Sequence, residues 1–447
     1  MTARIALAPE GVTHRLKAEG LELDAHIRSL RQKKYPRSRF SSKAAVKVAR
    51  RQEDSVTSTV IRRDRPPGNN PGRTGRRTEA SNGNSRFRTG WFPSGGIEAF
   101  MPDRPRLAST PLSILDLAHL RQGGTAEEAF HNSRALAQHA ESLGYKRFWL
   151  AEHHNIHGVA CSATSVLIGY IANATSKIRV GSGGIMLPNH APLVIAEQFG
   201  TLESLFPGRI DLGLGRAPGG DSAAARALRR SLHATGDDFP ELVDELRRYL
   251  GKPQSSQRVH AYPGEGTNVP IWLLGSSDFS ARLAGTLGLP FAFAAHFQPG
   301  PLLPALQIYR SSFRPSQGLD RPYAMVGVPI LVADSDEQAQ FLATTPIQMF
   351  LNLIRGVPGP LPPPTKTIDW TEEEREMVTA KFGAAIFGGP EHVVARLNTF
   401  LEETQADELM VVANTYKFED RLRSYELLSN LAEQVREEPQ IAKTVKV

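Results

Sequence analysis

From Leu112 to Val435 the chain alternates two patterns, short runs made mostly of apolar and small residues and segments in which apolar residues recur every three or four positions. The runs are Ser113–Ala118, Lys146–Leu150, Ile178–Leu187, Arg209–Gly215, Val269–Gly275, Pro290–Ala295, Ala324–Val332 and Glu408–Ala413. Such apolar character predicts strands buried on both faces, as in parallel sheets, since a half-solvated strand would alternate. A helix follows each run. Thr125 is an N-cap with Glu128 three residues on, and Ala129, Leu136, Ala140 and Leu143 form a stripe that ends at Gly144. Further helices are predicted over Ala163–Ala174, Val194–Leu205, Phe239–Leu250, Ser277–Leu287, Pro301–Phe313, Asp336–Leu351, Pro390–Glu403 and Leu422–Val435. Residues 355–370, dense in Pro and Gly, predict an irregular excursion, and no element is assigned again before Pro390. Eight strands, each followed by a helix, give the α/β class and a (β/α)8 TIM barrel with insertions as the simplest right-handed closed arrangement. A doubly wound open sheet is the alternative, because counting elements does not establish closure.

Charge separates the chain into unlike parts. Residues 1–100 hold 21 lysines and arginines against 9 acidic residues, whereas the remaining 347 hold 32 against 37. The net charge of +7 therefore belongs to the amino-terminal part and not to the barrel. Residues 1–105 are read as a disordered Arg-rich extension with a short helix around Leu16–Gln32, because the composition offers too little apolar surface to offset ordering entropy. A nucleic-acid-binding arm, a targeting peptide and translated upstream sequence all fit such a segment; the last is preferred because Met101 precedes the first organised stretch. The domain expectation is thus 1–105 extension, 106–436 barrel and 437–447 tail. No apolar run reaches the roughly 20 residues of a membrane span, and a soluble, cytoplasmic protein is expected. Cys161, a lone cysteine, is expected as a small buried side chain.

In a barrel the carboxyl ends of the strands converge and carry the chemistry. The second run ends in Glu152-His153-His154, either a polar cap in a loop or a site. Around it would lie His119, the glycines of Gly181-Ser-Gly-Gly184, Arg216, Gly275-Ser276-Ser277 and His296. Glycines inside a buried strand mark a bulge, a tight barrel corner or close approach of a ligand. Arg216 suits a phosphate, and Gly275-Ser276-Ser277 opens a helix whose free N–H groups suit one too, or serves only as its cap. No metal set is evident.

The runs Trp149-Leu-Ala-Glu-His-His-Asn155, Val180-Gly-Ser-Gly-Gly-Ile-Met-Leu-Pro-Asn-His-Ala-Pro192, Ala196-Glu-Gln198, Pro207-Gly-Arg-Ile-Asp-Leu-Gly-Leu-Gly-Arg216 and Ile271-Trp-Leu-Leu-Gly-Ser276 resemble those of the bacterial luciferase-like monooxygenases. The resemblance spans about residues 110–436. It implies a flavin-dependent enzyme that uses reduced FMN and O2 on a small organic substrate, with FMN supplied by a separate flavin reductase and a homodimer possible. Through it, Glu152 is placed beside the flavin ring, His153 as the active-site base and His154 in a structural role. Gly183-Gly184 becomes the peptide against the ring, and Arg216 with Gly275, Ser276 and Ser277 the phosphate grip. His119, His190 and His296 are candidates for the substrate pocket. Gly215 stands where light-emitting luciferases carry a reactive cysteine, so light emission is not implied. No G-x-G-x-x-G follows a strand, consistent with a separate reductase. The same fold would also serve a deazaflavin-dependent dehydrogenase or a barrel that only binds flavin. The reading from another class is a nucleic-acid-binding protein acting through its basic arm.

Overall fold

The computed structural model describes residues 106–217, 222–228 and 238–437. The expected extension, its helix over Leu16–Gln32 and the tail beyond residue 437 lie outside these residues. The chain runs α1 (Arg106–Ser109), β1 (Leu112–Asp116), α2 (Ala126–Ser142), β2 (Arg147–Leu150), α3 (Thr164–Ala174), β3 (Arg179–Met186), α4 (Pro192–Leu205), β4 (Ile210–Gly215) and α5 (Ser222–Ala227). It continues through α6 (Phe239–Leu250), β5 (Ile271–Gly275), α7 (Asp278–Leu287), β6 (Phe291–Ala294), α8 (Leu302–Ser312), β7 (Ala324–Val332) and α9 (Asp336–Ile354). Last come α10 (Glu372–Lys381), β8 (Ile386–Gly388), α11 (Pro390–Thr404), β9 (Glu408–Val412) and α12 (Phe418–Glu437).

All strand pairings are parallel, in the order β6-β5-β4-β3-β2-β1-β9-β7, and β6 also pairs with β7 through Phe291 and Ala324. That last pairing closes the ring, so the sheet is a barrel and not an open doubly wound sheet. Continuous burial follows the apolar runs: every residue of β1, β2, β7 and β9 is buried. Helix α2 shows the complementary pattern, burying Ala129, Ser133, Leu136, Ala137 and Ala140 along one stripe, with the Thr125 hydroxyl accepting from the Glu128 amide as the cap.

The amino ends of the strands form a floor of buried, mutually paired charges. Arg147 of β2 donates to Asp211 of β4 at 2.7 Å and to Glu408 of β9 at 2.9 Å. Asp211 also accepts from Arg179 at 2.6 Å and from the Trp149 indole at 3.2 Å. Glu408 accepts from the Tyr323 hydroxyl at 2.8 Å, with the Lys146 ammonium at 3.2 Å. The Arg147 guanidinium lies 4.8 Å from the Trp272 ring centre, and Trp272 meets Trp149 edge-on at 5.2 Å. Charges buried this way persist only when each is paired and hydrogen-bonded.

Four elements go beyond the sequence expectation, the short helices α1 and α5 and the pair α10 and β8. α10 and β8 follow the Pro/Gly-rich excursion, where no element was assigned. β8 pairs with the end of β7, Ile330 opposite Ile386, outside the closed ring. α10 begins at a capping box in which the Thr371 hydroxyl accepts from the Glu374 amide and the Glu374 carboxylate accepts from the Thr371 amide. Phe350, Leu351, Ile354, Met377 and Val378 form a small core between α9 and α10. The excursion is fastened to the loop after β1 by two backbone hydrogen bonds of 2.8 Å, Leu361 N–H to Leu120 O and Gln122 N–H to Leu361 O. It also lies so close to the loop after β2 that a Cβ at Gly158 would sit 2.4 Å from the Gly359 carbonyl.

Candidate active site

β2 releases Glu152, His153 and His154 at the carboxyl end of the barrel, and their side chains diverge. Glu152 turns inward and is 1% exposed. It accepts a hydrogen bond from the Met186 amide at 3.0 Å, and its Oε1 lies 2.8 Å from Nε2 of both His154 and His190. Burial alone would raise this carboxyl, but the hydrogen bonds from His190, His154 and Met186 outweigh it and hold the carboxyl below the usual range. The His190 ring is bound to Glu152 and does not line the cavity described below. His154 shares that carboxylate, in keeping with a structural role. Glu152 is the hub that ties the end of β2 to the end of β3, a positioning residue with both oxygens engaged. The three groups lie within 4.8 Å of one another, a spacing that would admit a metal ion, although their direct hydrogen bonds already satisfy them.

His153 turns the other way, into a cavity of about 270 Å3 whose walls include His119, His296, Phe297, Phe350, Lys381 and Phe382. The structure therefore gathers His119, His153 and His296 from the ends of β1, β2 and β6. Burial lowers the His153 imidazole from its ordinary value, which favours the neutral ring. Its Nδ1 lies 3.9 Å from the Cys161 thiol, which burial pushes up to about 12 and so keeps protonated. Both ring nitrogens of His119 and Nδ1 of His296 are buried without a hydrogen-bond partner. Burial, reinforced by the Arg421 charge for His119 and by Lys381 for His296, lowers each ring to about 4. His296 fits only because residue 327 on β7 is glycine: a Cβ there would stand 2.6 Å from Nδ1.

The glycines of β3 have a packing explanation. The β3–β4 register shifts between Ser182 and Ile185, a bulge at the Gly183-Gly184 peptide, which is cis. A Cβ at Gly183 would lie 2.6 Å from the Leu115 side chain, one at Gly184 2.7 Å from the Gly213 carbonyl, and one at Gly181 2.4 Å from the Asp211 carbonyl. Close approach of neighbouring strands thus requires these glycines before any ligand is considered. Gly275 is required similarly, its Cβ position being 2.6 Å from the Ser280 Cβ.

Arg216 after β4 and Ser276-Ser277 after β5 come together. The Arg216 guanidinium lies 4.3 Å from the centre of the Phe279 ring in the first turn of α7. Ser277 is the N-cap residue of that helix, yet its side chain makes no capping hydrogen bond. Arg216 has no carboxylate partner among the described residues. An unpaired cation beside a helix N-terminus with a spare hydroxyl fits a phosphate monoester.

Three contributors escape a reading of the sequence. Lys381 and Gly327 carry no local pattern. Cys161 is plain in the sequence but shows its relevance only once it is seen beside His153. The start of α10 did leave a signal, Thr371-Glu-Glu-Glu374.

Comparison with known proteins sets these features in context. A profile of the luciferase-like monooxygenases matches residues 110–408. The YvbT protein of Bacillus subtilis (strain 168) is 60% identical over 326 residues, 72% of this chain and 96% of its own length. A luciferase-like monooxygenase of Escherichia coli (strain K12) is 50% identical over 325 residues, covering 72% of this chain and 97% of its own. The crystal structure of apo-MsnO8 superposes with a TM-score of 0.65 at 34% identity, over 73% of this chain and 98% of that one. The fold alone is shared with a type II Baeyer-Villiger monooxygenase in complex with FMN, at TM-score 0.55 and 18% identity, and with an F420-dependent secondary alcohol dehydrogenase, at 0.52 and 15%.

Proposed function

Because this chain belongs to the luciferase-like monooxygenase family, we propose that it oxygenates a small organic substrate with reduced FMN and O2, the FMN being reduced by a separate flavin reductase. The observation that carries the cofactor assignment is the Arg216 guanidinium, without a carboxylate partner among the described residues, beside the N-terminus of α7 on the same barrel mouth as His153. Arg216, Ser276, Ser277 and the first amides of α7 hold the phosphate, and the Gly183-Gly184 peptide takes its place at the ring. Bound in its reduced form, the cofactor supplies the electrons for dioxygen. The chain contributes the environment: apolar walls that exclude water, and an imidazole at His153 that accepts and returns a proton. Glu152 acts through His154, His190 and the Met186 amide by fixing the loop that presents His153.

The experiment is a titration of the protein with FMN, followed by oxygen uptake on adding reduced FMN and a panel of aldehydes, sulfonates, thioethers and aromatic compounds. Saturable FMN binding with substrate-dependent oxygen uptake is the expected result. Selective binding of a deazaflavin, with no oxygen uptake, would replace the reading with that of a dehydrogenase.

A further inference from the structure

Resting on that reading, the geometry points to the class of substrate: we propose that the cavity takes a small apolar molecule bearing one anionic group, a carboxylate or sulfonate, and that Lys381 receives this group. Three observations carry the proposal. First, the titratable side chains lining the cavity are His119, His153, His157, His296 and Lys381, with no Asp or Glu among the described lining residues. Its walls are otherwise mostly apolar, as in ligand pockets generally. Secondly, the Lys381 ammonium is fixed in place, donating to the carbonyls of His296 at 3.0 Å and Phe297 at 2.8 Å. It lies 4.9 Å from the Phe297 ring centre and 5.7 Å from that of Phe350. An ammonium has three donors, so one remains for the cavity it lines. Thirdly, Lys381 has no carboxylate partner among the described residues, and His119 and His296 line the same space.

A half-buried cation without a counter-ion is held at some cost, and an arriving anion relieves that cost. Burial lowers the ammonium only to about 8, so it remains charged at neutral pH. A compact point charge suits one anionic head, whereas a flat fork would favour bidentate clamping. The cavity volume of about 270 Å3 lies near the small end of the range of roughly 300–1,000 Å3 for ligand pockets, so the apolar body must be short.

Octanoate and octan-1-ol differ in the head group alone and serve as probes, with binding to the full chain followed by calorimetry. The expected result is binding of octanoate about tenfold or more tighter than octanol, a charge-assisted contact against a neutral one. Lys381→Met should erase that preference while leaving octanol affinity in place, and Lys381→Arg should retain much of it. Octanesulfonate should follow octanoate. Labelling of Lys381 by reductive methylation in the wild-type chain, read by peptide mass spectrometry, should be suppressed by saturating octanoate. Equal affinities for the two probes in the wild type, a preference that survives in a folded K381M, or labelling unaffected by octanoate would each overturn the proposal. FMN binding is measured on the same samples, so the two readings fail separately. Octanoate selectivity without FMN binding sinks the cofactor assignment alone, and FMN binding without selectivity sinks the anion site alone.

Discussion

At the amino ends of the strands, Arg147 meets Asp211 and Glu408, and each carboxylate collects further donors until its capacity is used. At the carboxyl ends, His119 and His296 keep ring nitrogens buried without partners, and Lys381 has carbonyls but no carboxylate among the described residues. Both regions are rich in polar side chains, fully buried at Asp211 and Glu408 of the floor and half-buried at His119, His296 and Lys381 of the mouth. What separates them is saturation. A floor whose donors and acceptors are matched has nothing to offer a ligand and serves closure of the ring. A mouth whose donors are unmatched retains capacity that an incoming molecule can fill.

The contrast can be broken most forcefully at the floor. Arg147→Met leaves two buried carboxylates short of a donor and should cost about 3–5 kcal/mol of stability in urea denaturation; a loss under ~1 kcal/mol would show that the network is not what holds the ring. The next effect belongs to the mouth. His119 and His296 take up protons near 6.5 in the unfolded chain but only near about 4 when folded. Between those values the unfolded chain holds more protons, so stability falls as pH drops from 6.5 towards 4 and is unaffected by these groups above 6.5. His119→Asn and His296→Asn should each flatten this acid limb by on the order of 3 kcal/mol at pH 4. An unchanged limb would move acid sensitivity to the floor.

Within the mouth, His153→Ala should lower oxygenation about 100-fold while FMN affinity stays within about threefold. Wild-type turnover in this variant would remove His153 from the chemistry. The smallest effect is expected at the phosphate grip. Arg216→Ala should weaken FMN about tenfold but leave riboflavin, which lacks the phosphate, nearly unchanged. Equal weakening of both would reassign Arg216 to the ring or to packing on Phe279.

The ring was legible because β7 and β9 are buried throughout and their residues are accordingly apolar, save Glu408 at the amino end of β9. The grouping of His119, His153 and His296 was also legible, since strand ends of a barrel must converge. The contact of His190 was not legible, because a histidine after β3 can face the cavity or the neighbouring strand, and only the position of the Glu152 oxygen decides between them. Lys381 was invisible for a related reason. It comes from α10, well after the strand ends with which it acts, and nothing nearby in sequence indicates that its ammonium ends at the His296 carbonyl. The glycines of β3 were read as a bulge, a barrel corner or close approach of a ligand, and Leu115, Gly213 and Asp211 demand them by packing alone.

The fastening of the excursion at Leu361 has a consequence for how this protein can change. Its hold on the loop after β1 is through main-chain groups, which any non-proline residue supplies. The side chains between residues 355 and 388 can therefore be exchanged without cutting the tether, while His153 and Arg216 sit on the ring and stay put. With the roles proposed for Lys381 and His153, grafting this segment from a relative should exchange what the enzyme accepts and leave what it does to it intact.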